Sequence, residues 1–116
     1  MTVGAALVEL HVHESHSLKE KRGVVRSIVA RVRSRYNVSI AEIGGQDTWQ
    51  RAQLGIAATG LDRVQVRRTL TTVVAFIESL HLAELRASDV EIVELPHGDA
   101  SDDEDDDVEP LPWEEE

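Results

Sequence analysis

Residues 50–59 read Gln-Arg-Ala-Gln-Leu-Gly-Ile-Ala-Ala-Thr. In an extended chain Ala52, Leu54, Ile56 and Ala58 fall on one side, and Arg51, Gln53 and Thr59 on the other. Such alternation predicts a strand in a sheet that is covered on one face only. A sheet buried on both faces carries near-continuous apolar runs instead.

Upstream, residues 38–43 (Val-Ser-Ile-Ala-Glu-Ile) alternate in the same way, and Gly44-Gly45-Gln46-Asp47 turns the chain between them. The two strands form a hairpin. Before it, residues 18–35 predict a helix. Ser17 and Glu20 have capping-box spacing, and Leu18, Val25, Ile28, Val29 and Val32 make an apolar stripe. Gly23 is a weak point in this helix. Residues 3–12 alternate around Ala6, Val8, Leu10 and Val12, with Glu9 and His11 opposite. Downstream, Gly60 breaks the strand and Asp62 caps a helix to about Ser79, with Val66, Leu70, Val73, Val74 and Ile77 as its stripe. Residues 88–95 predict the last strand. The order β-α-β-β-α-β, with right-handed crossovers, implies an α+β, ferredoxin-like sandwich: a four-stranded antiparallel-type sheet with two helices on one face.

The charge divides the chain. Residues 1–95 hold all 12 Lys and Arg against 11 Asp and Glu; residues 96–116 hold the other 11 acids and no base. We therefore expect a folded domain over 1–95 and a disordered acidic tail over 96–116. Val108, Leu111 and Trp113 lie among the tail's acids as in a short acidic-hydrophobic binding segment, although a purely solvating tail is the plainer expectation. Aromatics are only 3%, so the core must be aliphatic. The absence of cysteine excludes disulfides and thiolate chemistry. No apolar run approaches the roughly 20 residues that span a bilayer, and no signal-peptide pattern opens the chain, so a cytoplasmic protein without membrane partners is expected.

Three stretches carry a family resemblance: Val8-Glu9-Leu10-His11, Ser17-Leu18-Lys19-Glu20-Lys21-Arg22, and Asn37-Val38-Ser39-Ile40-Ala41-Glu42 leading to Gln46-Asp47-Thr48-Trp49-Gln50-Arg51. Together they resemble the YlxP-like family, a bacterial domain of unknown function, over residues 2–95. The resemblance implies a ferredoxin-like fold and names no catalytic residue. Genes of the family often lie beside those for a translation initiation factor and a ribosome-binding factor, which points to ribosome maturation. It says nothing of the acidic tail.

Four groups are candidate sites. Residues 19–35 carry seven Lys and Arg against Glu20 alone. At about 100° per residue Lys19, Arg22, Arg26 and Arg33 cluster within roughly 60°, a cationic stripe suited to phosphate backbones, with rRNA or a ribosomal subunit as partner. The open sheet face offers Glu9, His11, Arg51 and Gln53 but no aromatic unless Trp49 reaches it, which argues against base stacking there and in favour of pairing with a second copy. His11, His13 and His16 could ligate a metal, but ordinary surface histidines are the preferred reading, and no cofactor is expected. In Asp47-Thr48-Trp49-Gln50-Arg51 the preferred reading is a Trp packed on its own sheet and Arg51 paired with Glu9 or Glu42.

Ser15 beside His13, His16 and Glu14 has the residue types of a nucleophilic trio without its context, so no enzyme is expected. The leading function is an RNA- or ribosome-associated accessory module, the alternative a homodimeric interaction or small-ligand-sensing domain. The tail could fold back on the cationic stripe and compete with an anionic partner.

Overall fold

A computed structural model of the chain describes residues 1–13, 15–45 and 48–96. The expected tail from residue 97 onward lies outside the described residues, as do Glu14, Gln46 and Asp47 of the motifs above.

The elements follow the predicted order: β1 (Thr2–His11), α1 (Leu18–Arg35), β2 (Ser39–Gly44), β3 (Arg51–Gly60), α2 (Arg63–Ser79) and β4 (Glu84–Glu94). They form one antiparallel sheet in the order β2-β3-β1-β4. β1 is thus flanked on both sides, and β2 and β4 are the edges. Both helices lie on one face. The core between the layers is aliphatic: Ala6, Val8 and Leu10 of β1, Ile40 of β2 and Leu54 and Ile56 of β3 meet Val25, Ile28 and Val32 of α1 and Val66, Leu70, Val73 and Ile77 of α2. Each large side chain so buried contributes about 1.5–3 kcal/mol. Gly4 lets α2 approach β1 closely, since a Cβ there would lie 2.5 Å from Val66 Cγ1.

Both helix starts are capped by their own side chains. Ser17 Oγ accepts from the N–H of Glu20 (3.1 Å), and the Glu20 carboxylate accepts from the N–H of His16 (2.6 Å), one residue outside the expected reciprocal bond. Asp62 Oδ1 accepts from the N–H of Gln65 (2.8 Å), while Gln65 Oε1 accepts from Leu61 N–H (2.8 Å). Beyond α2 and its C-cap Leu80, His81 is the one described non-glycine residue with positive φ (54°), and its N–H donates to the carbonyl of Glu78 (3.3 Å).

Two departures from expectation have physical causes. β4 begins at Glu84, four residues before the predicted 88, because the β1–β4 register shifts between Glu9 and Leu10, which interrupts the alternation near Arg86. The buried stripe of α1 is Lys21, Val25, Ile28 and Val32. A lysine therefore occupies the core position one turn ahead of Val25.

Candidate functional site

Lys21 is fully buried. Its ammonium donates to Glu42 Oε2 (3.0 Å), to the carbonyl of Gly45 (2.6 Å) and to the carbonyl of Arg51 (3.3 Å). A buried ammonium is tolerated only when its three protons find acceptors, and here all three do. The two carbonyls bracket the β2–β3 connection, so Lys21 ties both ends of that loop to α1. Sequence reasoning missed this residue. Its signal was register, since positions 21, 25, 28 and 32 form one helical stripe. Glu42 belongs to Lys21, and Arg51 lies 3.7 Å from Glu9 across the strands, the other of the two expected pairings.

Trp49 lies outside the core cluster. It precedes β3, is 43% exposed, and its ring lies 6.4 Å from that of His16, tilted 44°. The tethered loop holds it at the end of the sheet, beside the entry to α1. The rings of His11 and His13 meet edge to face at 4.2 Å. His13 Nε2 pairs with Glu84 at 3.1 Å, and Glu84 also accepts from Arg86. The hydrogen bonds from Arg86 and His13 hold the Glu84 carboxyl below its usual range. Partial desolvation at the end of the sheet, and then His13 beside it, push the His11 imidazole down. Among the described residues no three His, Cys, Asp or Glu converge as metal ligands. Ser15 is buried with its hydroxyl donating to the carbonyl of Ser17 (2.9 Å), turned to the helix entry rather than to a histidine.

The cationic stripe has unequal members. Lys19, Arg22 and Arg26 are exposed. Arg33 donates to the carbonyl of Ile40 (2.9 Å), on edge strand β2, so it is committed to the fold. The structure also adds cations that the one-helix reading did not join to the stripe. Nine exposed Lys and Arg stand on α1 and α2, Arg63, Arg67 and Arg68 among them, against Glu20, Asp62 and Glu78. The open sheet face is the reverse: Glu9, Glu84, Asp89 and Glu91 stand on it against Arg51 and Arg86. The molecule is electrostatically two-sided, with a basic helical layer and an acidic sheet.

The open sheet face holds a trough of about 560 Å³. Ala5, Ala41, Gly55 and Ala57 form its floor, Leu7 and Ile43 stand beside it, and Asp89 and Glu91 border it on β4. Glu9, His11, Arg51 and Gln53 occupy one end of this face; Val93, on the edge strand, is half exposed.

Sheet order and helix placement define a ferredoxin-like α+β domain. The chain belongs to DUF503, a family of proteins of unknown function, whose match covers residues 3–91. It is 51% identical over 77 residues to the uncharacterized protein YlxP of Bacillus subtilis (strain 168), covering 66% of this chain and 84% of that one. Among solved structures it is similar to SnoaB, a cofactor-independent oxygenase from Streptomyces nogalater (12% identity, 84% of this chain and 97% of that one, TM-score 0.47). It is also similar to a REP-associated tyrosine transposase bound to a REP hairpin (9% identity, 81% of this chain and 57% of that one, TM-score 0.38). These likenesses concern the fold and assign no reaction or ligand here. The expectation that the chain is no enzyme does not stand, a cofactor-independent oxygenase being among the solved structures of similar outline. No helix among the described residues is long and apolar enough to cross a membrane.

Proposed function

We propose that the domain is an RNA-associated module, with rRNA or a ribosomal subunit as its target, and that it binds through the helical layer. The observation that carries this reading is the nine exposed Lys and Arg on α1 and α2, against three acids, on one side of a molecule whose other side is acidic. Such a layer releases counterions from a phosphate backbone, and the acidic sheet orients the approach. The test is binding of the whole chain to ribosomal RNA and to isolated subunits across a salt series. Arg22→Glu with Arg26→Glu is the informative pair, because Arg33 also holds β2. The expected result is saturable binding that falls steeply with salt and weakens at least tenfold in the double variant. Binding that ignores both salt and the substitutions would refute it.

A second reading is favoured by the trough on the sheet. Leu7 and Ile43 stand exposed around a floor of small side chains, a surface that suits a second copy better than an anion. Four strands at about 4.8 Å spacing and about ten residues at 3.3 Å give on the order of 600 Å² per copy. The resulting total of about 1,200 Å² meets the lower bound for a stable pair. A dimeric mass in 1 M salt that reverts to monomer in Ile43→Lys supports this reading; a monomer at all concentrations removes it.

A further inference from the structure

Trp49 is an exposed residue just ahead of β3 with hydrogen-bonded backbone on both sides. Lys21 binds the carbonyls of Gly45 (2.6 Å) and Arg51 (3.3 Å) at its two ends. The carbonyl of Gln50 accepts from the N–H of Val12 (2.8 Å), and the N–H of Thr48 donates to Gly45 (3.0 Å). Trp49 is thus flanked by tied backbone while the residue stays 43% exposed, outside the core cluster. His16 lies against it at 6.4 Å and is itself held by the bond from its N–H to Glu20. From this end of α1 the exposed guanidinium groups of Arg22 and Arg26 lead along the helix. Arg26 shares a cleft with Glu42, the partner of Lys21, so the arginine row runs over the same hairpin whose loop carries Trp49.

We propose that Trp49 and His16 form a stacking platform for an unpaired base of single-stranded RNA, whose backbone continues along Arg22 and Arg26. The inference rests on the RNA reading above and narrows it from an anionic polymer to an unpaired strand. Bases in a duplex are stacked on one another and offer no free face to an indole, whereas an unpaired base does. Pre-ordering of the ring by Lys21 lowers the entropy lost on stacking. The open sheet face, which carries no Phe, Tyr or Trp among the described residues, has no part in it.

The experiment uses the full chain with Trp113→Phe, so that Trp49 is the sole tryptophan, and three probes: a single-stranded oligouridylate, an RNA duplex of equal length, and inorganic polyphosphate. The oligouridylate is expected to quench Trp49 emission saturably. Polyphosphate is expected to compete for the site without quenching. Trp49→Ala should weaken oligouridylate binding about ten- to a hundredfold, the range of base–aromatic stacking, and leave polyphosphate binding unchanged. Trp49→Phe should retain most of the affinity, and His16→Ala should lose a few-fold, which separates stacking from misfolding. Oligouridylate bound equally by Trp49→Ala, with no change in emission, overturns the platform and leaves the helical-layer reading standing. If neither oligouridylate nor polyphosphate binds, both fail. Binding of the duplex with equal affinity and equal quenching also overturns the single-strand inference.

Discussion

Replacing Lys21 with methionine preserves the length and apolar stem of the side chain and removes only the ammonium. Three acceptors then lose their donor: Glu42 Oε2, Gly45 O and Arg51 O. Removing one partner of a buried ion pair costs about 3–5 kcal/mol when the other charge is stranded. The Glu42 side chain is 19% exposed and can turn partly to water, so the expected loss is smaller, about 2–4 kcal/mol. That is a large share of the roughly 5–15 kcal/mol that holds a typical domain folded. Urea unfolding followed by circular dichroism measures it. A double-mutant cycle with Glu42→Gln separates the ion pair from the two carbonyl bonds. Glu42→Gln in the Lys21→Met background should recover only part of the loss, because the carbonyls of Gly45 and Arg51 stay unpaired. A loss under about 1 kcal/mol with an unchanged m-value would refute the view that this ammonium anchors the hairpin.

Gly4→Ala places a Cβ 2.5 Å from Val66 Cγ1 and 2.7 Å from Leu70 Cδ1, so thermal unfolding should show a loss of about 1–3 kcal/mol. His81→Gly relieves a left-handed non-glycine residue (φ 54°) and should raise stability by about 1 kcal/mol in the same assay. His11 titrates below its usual value of 6.5 because of partial desolvation and neighbouring His13. The folded state therefore binds this proton less readily than the unfolded chain, and the group's contribution to stability diminishes as pH falls below about 6.5. NMR titration should show the His11 midpoint rising in His13→Asn. Glu84 is shifted the other way on the acid side: its contribution is present above about 4.5 and is lost as pH falls through its lowered folded value, an effect that Arg86→Ala should diminish in an acid-unfolding series. Cutting the chain after Pro96 removes eleven acids, so RNA affinity at low salt should rise; unchanged affinity would show that the tail does not compete.

The elements were legible because each carries its period in plain view. Ala52, Leu54, Ile56 and Ala58 alternate, and Val66, Leu70, Val73 and Ile77 repeat at helical spacing, so burial follows directly from pattern. The first half of β4 was hidden by the register shift opposite Glu9 and Leu10, which removes the alternation on which such reading depends. Of the candidate sites, the basic character of α1 was legible, but the commitment of Arg33 was not. Its acceptor is the carbonyl of Ile40 on an edge strand, and edge position is known only once the sheet order is known. The approach of Trp49 to His16 was not legible because loops have no period. The neighbours of Trp49 along the chain are tied by Lys21, 28 positions away, and its ring lies 6.4 Å from that of His16. Lys21 itself looked like one more cation in a basic helix, and only its place in the stripe of Val25, Ile28 and Val32 marked it as different.

The sheet order has a bearing on how the chain folds as it is made. β1, residues 2–11, has no neighbour in sequence to pair with: its partners are β3, starting at residue 51, and β4, starting at residue 84. The hairpin of β2 and β3 and both helices can form from local contacts, but the strand synthesised first waits for the last one to close its second edge. A nascent chain interrupted before residue 84 would hold β1 with one row of N–H and C=O groups unpaired and Val8 and Leu10 incompletely covered, a state prone to pairing with other chains. Folding should accordingly be slower than expected for a helix-rich domain of this length, and its rate-limiting step should include the docking of β4.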